Sequence, residues 1–197
     1  MPATTRKITA ADIVPASQYG KERGERRRAL LPMKKLRRVD VGPFATFYFE
    51  NFDTMLLQVQ EMLFIEKGGD DQLADELRAY NPLIPQGGEL IATVMFEIDD
   101  PVRRKTVLQR LSGVEETIFL DVGGVKIKAV SETEVDRTDD DGKTSSIHFV
   151  RFPVPADLRA KFRDPATMIT VGIQHENYGH LALLQPATRA ELAKDFA

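Results

Sequence analysis

FENFDTMLLQVQEMLFIE (residues 49–66), followed by a charged spacer and YNPLIP (residues 80–85), is the stretch whose reading decides the fold. Its first part is apolar on almost every side, yet it carries Gln58, Gln60, Glu61 and Glu66. Buried polar groups need partners, so a specific structure should gather around this segment. The pattern predicts a helix capped by Asp53, with Phe52 and Leu57 in staple positions, ended at Gly68-Gly69. Its apolar girth predicts a buried central helix.

The flanks extend the pattern. Val39 to Phe49 reads as one strand with both faces covered, because Phe44, Thr46 and Tyr48 alternate with Ala45, Phe47 and Phe49. A second helix spans about Asp70 to Tyr80 and stops at Asn81-Pro82, since the residue before proline is pushed out of the helical region. Tyr80 and Asn81 either terminate that helix or line a pocket. Leu90 to Ile98 reads as a strand, and Pro101 opens a helix reaching about Leu111. Beyond it the periodicity turns to β. A hairpin joins Thr117–Val122 to Val125–Val135, and a turn at Asp139–Gly142 leads to a strand over Ser145–Phe152. A short helix from Pro155 to Arg163, strands over Ala166–Ile173 and Leu181–Leu184, and a last helix capped by Thr188 complete the chain. Antiparallel hairpins and segregated helices predict an α+β fold, mostly antiparallel sheet packed against several helices, in a single domain over residues 1–197. Residues 1–16 are expected to be loosely ordered.

Composition narrows the chemistry. The chain has 197 residues, 11 Phe and no Cys. Disulfides, thiolate metal sites and cysteine-ligated iron–sulfur clusters are therefore excluded within it. The start, MPATTRKITAADIVP, lacks the apolar stretch of a secretory signal, and no run approaches membrane-spanning length. A cytoplasmic location is expected. Homodimerisation is plausible, as it is for many soluble proteins.

Charge is uneven. Residues 21–38 hold nine Lys or Arg and two Glu, a local net of +7, so the rest sums to −10 in a chain of net −3. The segment reads as helix from Ser17 with a break near Pro32. Its cations either pair with the acidic body or form an arm for an acidic partner. Nucleic acid is disfavoured, because no aromatic residues interleave the cations.

Five residues are candidate metal ligands: His148, His175, Glu61, Glu66 and Glu97. His148 shares strand parity with Val150 and Phe152, and His175 with Ile169, Val171 and Ile173, so both should point into packed faces. Joined by one of the glutamates they would offer nitrogen and oxygen ligands to a divalent transition metal such as Zn, Mn or Fe. Glu61 and Glu66 stand about 140° apart around a helix, so they cannot readily form a carboxylate pair together. Each could instead be salt-bridged to the arginine-rich helix. Glu97 could equally cap the helix that begins at Pro101. Phosphate-binding and nucleophile-elbow motifs are absent: there is no GxGxxG, no Walker A sequence and no GxSxG.

Taken together, the FENFDT…QVQEML…E run, the YNPLIP block, the ELIATVMFEI strand and the late SIHFVRF and HENY segments resemble the bacterial domain-of-unknown-function family 3501. The resemblance spans about Ile8 to the final strand. It implies a genomic setting rather than a reaction: members are typically encoded beside rubrerythrin-like proteins and a heterodisulfide-reductase-like iron–sulfur protein. That setting implies an accessory role in a redox or oxidative-stress system, with such a partner bound through the basic segment. The alternative is an enzyme or sensor with the His/Glu mononuclear metal site. No site residues carry over from the family.

Overall fold

Alternation along one short strand sets the layers. In Ala45–Phe49, the side chains of Ala45, Phe47 and Phe49 enter a core shared by two sheets, while Thr46 and Tyr48 face the opposite way. The computed structural model describes residues 6–131 and 144–197. In chain order they form α1 (Ala16–Leu36), β1 (Arg38–Val41), β2 (Ala45–Phe49), α2 (Phe52–Glu66), α3 (Gly69–Tyr80), β3 (Glu89–Phe96) and α4 (Pro101–Gln109). After these come β4 (Ile118–Val122), β5 (Val125–Lys128), β6 (Val130–Ser131), β7 (Ile147–Pro153), α5 (Ala156–Arg163), β8 (Ile169–His175), β9 (Tyr178–Leu183) and α6 (Pro186–Leu192).

Both sheets are antiparallel, one ordered β1-β2-β3-β7-β6 and the other β5-β4-β8-β9. The fold is α+β. Between the sheets lie Phe47, Phe49, Leu90, Val94, Val150 and Phe152 from one side and Ile118, Leu120, Ile169, Val171 and Ile173 from the other. Each such fully buried aliphatic or aromatic side chain contributes about 1.5–3 kcal/mol. The outer face of the first sheet, through Ile91 and Phe149, packs on Met55 and Val59 of α2, with Leu83 and Ile84 beyond. Tyr178 links the two sheets: its hydroxyl donates to Val41 O (2.7 Å) and accepts the amides of Phe44 (3.0 Å) and Ala45 (2.9 Å). Among the described residues no helix is long and apolar enough to cross a membrane.

Several expectations change. The strand read over residues 39–49 is a hairpin, broken at Gly42, whose φ of 71° suits glycine and the tight turn it makes. Pro32 does not break α1, which continues to Leu36. The proline removes one donor, and both Pro32 and Arg28 are exposed, so water can reach the carbonyl left over. The cap of α2 is Asn51, not Asp53: its side chain accepts the Thr54 amide, and Thr54 Oγ1 accepts the Asn51 amide in return. With the cap moved, Phe52 and Leu57 are no longer staple positions. Lys67, at φ 57°, supplies the left-handed residue that closes α2. α6 is preceded by Gln185, and Thr188 is buried inside it.

Nor is α2 central. It lies in an outer layer against the first sheet, α1 and α3, and Ile65 near its end is 59% exposed. The strand expected to run from Val125 to Val135 divides between the sheets as β5 and β6; its remainder, and the turn at 139–142, lie outside the described residues. Residues 6–14, expected to be loose, are tied down. Asn81 clamps the backbone of Ile8 on both sides (2.7 and 3.1 Å), Gln60 does the same for Val14 (2.8 and 2.9 Å), and Arg6 donates to Pro85 O (2.9 Å).

Candidate functional site

The strand alternation that buries Phe49 turns Glu50 to the opposite face, one residue before the cap of α2. The side chain is held between β2, β3 and α2. Thr93 Oγ1 donates to Oε1 and Thr54 Oγ1 to Oε2, each at 2.6 Å. Only 8% of Glu50 is exposed. Burial pushes its carboxyl above the ordinary glutamate range, against the lowering effect of the two hydroxyls, Lys34 and Arg37.

This carboxyl lines a cleft of about 400 Å³ between the outer face of the first sheet and α2. Met95, Ile147 and Phe149 supply one apolar wall, Met55 and Leu83 another, and Tyr48, Gln58 and Tyr80 add polar groups. Gln58 Nε2 donates weakly to the Tyr80 hydroxyl at 3.4 Å. Tyr80 thus lines a pocket, as one reading of YNPLIP expected; Asn81 is occupied by Ile8. Lys34 stands exposed at the rim and forms no ion pair among the described residues. A concave, mostly apolar space with few converging polar groups and one buried carboxyl is the usual form of a small-molecule site.

Behind Glu50 the backbone is anchored by Arg37, which is 1% exposed. Its Nε donates to Phe49 O and Nη2 to Glu50 O, both at 2.9 Å. The guanidinium also pairs with Asp195 and, at 3.3 Å, with Glu191. The last turn of the chain therefore holds the strand end that presents Glu50. Burial, reinforced by Glu191, raises Asp195 to about 6 despite Arg37.

The five expected ligands do not come together. Glu61 is structural: Arg23 binds it through Nη2 (2.7 Å) and Nε (2.9 Å), the Tyr19 hydroxyl donates to it (2.5 Å), and Arg27 stands 3.7 Å away. Chiefly Arg23 holds its carboxyl down to about 2. That is the arginine pairing offered as one of its two readings. Glu66 is exposed and accepts from Gln72 (2.9 Å), not from an arginine. Glu97 does not cap α4, whose cap is Asp100; it accepts the hydroxyls of Thr46 (2.6 Å) and Tyr48 (3.0 Å). His148 is fully buried between the sheets, as its parity indicated, with Nε2 2.8 Å from Ser145 O and the ring edge-on to Phe96.

His175 departs from its expected place. It sits half-exposed at the tip of the β8–β9 hairpin, where the strand has run beyond the core. Its Nδ1 accepts the Asn177 amide (3.1 Å), so Nε2 carries the proton toward Ser112 O (3.1 Å). Among the described residues no three His, Asp or Glu side chains converge to hold a metal ion. A mononuclear centre assembled from these five residues does not fit this fold.

Comparison with known proteins agrees with the resemblance carried by the FENFDT, YNPLIP and HENY segments. The model for "Protein of unknown function (DUF3501)" matches residues 7–196. The chain belongs to the DUF3501 family. A protein of unknown function from Burkholderia pseudomallei K96243, solved by crystallography, has a similar structure: TM-score 0.89 at 32% identity, covering 97% of this chain and 100% of that one. No functionally curated protein matches.

Sequence reasoning misses Glu50 because it lies between the end of β2 and the cap of α2, outside both periodic patterns. The signal is nonetheless present. Continuing the β2 alternation by one residue puts Glu50 on the face of Thr46 and Tyr48, beside an outward Thr93 on the next strand.

Proposed function

We propose that this DUF3501 protein handles a small, partly apolar molecule in the cleft beside Glu50, with Glu50 exchanging a proton with it. The observation that carries this reading is a carboxyl nine-tenths buried, raised by its surroundings and opening on a cleft of about 400 Å³. A raised carboxyl can hold or release its proton nearer neutrality than an exposed one, which suits acid–base work. Thr54 and Thr93 fix its orientation, and Tyr80, Gln58 and Lys34 supply the polar contacts that would orient a ligand. A thermal-shift screen of small organic acids, amines and carbonyl compounds at pH 6 and 8 tests it. At least one compound should stabilise the wild type and fail to stabilise Glu50→Gln. If the variant folds and responds to every compound as the wild type does, the cleft is only a packing defect.

A second reading, docking of an acidic redox partner on α1, is favoured by one observation. Of the nine cations in residues 21–38, Lys21, Arg28, Lys34 and Lys35 are exposed and form no ion pair among the described residues. Unpaired surface cations on an acidic protein steer an acidic partner at low salt. Pull-downs against iron–sulfur and rubrerythrin-like proteins at low and high salt, with Lys34→Glu/Lys35→Glu as control, decide it. Capture insensitive to both salt and charge reversal removes the reading.

A further inference from the structure

A second concavity shares no lining residue with the Glu50 cleft. It is a groove of about 520 Å³ between the ends of α5 and α6 and the β8–β9 pair. Its walls are apolar: Phe162, Pro165, Ile169, Leu184 and Pro186 among them. At its rim Met168 is 63% and Leu183 52% exposed, large side chains that the chain itself leaves uncovered.

The groove also carries positive charge. Arg163 and Arg189 line it, and no Asp or Glu does. Arg189 Nε donates to Phe162 O (2.6 Å) and Nη1 to Thr167 O (2.7 Å), while its buried Nη2 has no hydrogen-bond partner. Arg163 donates to Phe196 O (3.1 Å) and lies over the Phe196 ring. Neither guanidinium has a carboxylate partner among the described residues. The nearest acids along the chain are engaged elsewhere: Asp164 accepts the Ala166 amide, and Glu191 pairs with Arg37 and Lys194. Two guanidinium charges answered only by carbonyls, in an apolar trough, favour an anion whose body is apolar.

The geometry points to a binding site for a medium-chain carboxylate, its head toward Arg163 and Arg189 and its chain along the apolar floor, covering Met168 and Leu183. The groove's volume falls within the roughly 300–1,000 Å³ usual for small-ligand pockets. This site is separate from the Glu50 cleft and makes no use of it.

Titration calorimetry of the full chain with sodium decanoate, below its micelle concentration, tests the assignment. One decanoate per chain is expected, with decylamine at least about tenfold weaker, the equivalent of 1.4 kcal/mol. Arg163→Gln should weaken decanoate by about tenfold, and Ala190→Trp, which fills the groove from α6, should abolish binding. Arg189 is left unsubstituted because it holds two backbone carbonyls. Both variants are checked for wild-type melting, and Glu50→Gln should bind decanoate as the wild type does. No saturable binding overturns the proposal. So does decylamine binding as tightly as the acid, or decanoate binding that survives Ala190→Trp but is lost in Glu50→Gln.

Discussion

Thr93 donates its hydroxyl to Glu50 Oε1 at 2.6 Å, across the β2–β3 pair. The bond positions a buried carboxyl at the edge of a cleft and offsets part of the burial that raises it. Thr93→Val, nearly the same shape, leaves Oε1 without this hydroxyl. The Glu50 carboxyl should then rise further, followed by the pH dependence of its side-chain carbon resonance. Stability should fall by about 1–3 kcal/mol in urea, the usual result of orphaning a buried acceptor. An unchanged titration would show that the Thr93 hydroxyl has no part in setting Glu50.

Arg37 is the corresponding anchor behind the site. Arg37→Met leaves Glu191 and Asp195 without their shared guanidinium and frees the carbonyls of Phe49 and Glu50. Breaking a buried pair from one side typically costs about 3–5 kcal/mol. Chemical denaturation should show a loss of that order. Any ligand found for the cleft should also bind more weakly, because Glu50 loses its backbone support.

Asp195 makes a distinct pH signature. Its folded value, about 6, lies above the ordinary 3.8, so the native state holds more protons between those limits. Stability from this group is fully present below about pH 4 and is lost as pH rises through about 6. Urea midpoints at pH 4, 5, 6 and 7 should decline more steeply for the wild type than for Asp195→Asn. Equal slopes would place the proton elsewhere.

Glu61 acts in the opposite direction. Arg23 depresses it from 4.5 to about 2, so its contribution is present above about pH 4.5 and is lost as pH falls through about 2. Glu61→Gln should lower stability by a constant amount across pH 5–7 and flatten the acid limb of the stability curve between about pH 4.5 and 2. Comparison of acid-unfolding curves by circular dichroism checks it.

Gly42 tests the contact between the sheets. A Cβ there would stand 2.5 Å from the His180 ring, on a backbone with φ 71°. Gly42→Ala should destabilise by more than about 1 kcal/mol, since strain and collision add. Thermal melting within about a degree of wild type would show that the β1–β2 turn does not pack on β9.

Much of the fold is legible in local patterns. The double-sided alternation in Phe44–Phe49 anticipates a sheet covered on both faces, and the first sheet lies between the second sheet and α2. The parity of His148 with Val150 and Phe152 places it correctly in the core. Strand parity fails for His175, because it assumes that the strand stays within the core, and β8 runs past it. The hairpin at Gly42 reads as continuous strand because Gly-Pro-Phe lies within an otherwise regular alternation.

By itself, the sequence determined the secondary-structure classes, the absence of thiol chemistry, the family and, for the helix glutamates, a choice between the arginine-rich segment and a metal. These rest on periodicity, composition and opposite charge, all of which act over short or unspecific ranges. Only the tertiary structure decided which glutamate lies in a cleft, that Arg37 is buried against residues about 150 positions later, and that the five candidate ligands stay apart. Those outcomes depend on how the two sheets and the helices around them stack. Stacking brings together residues with no local relation, and their desolvation depends on that final arrangement.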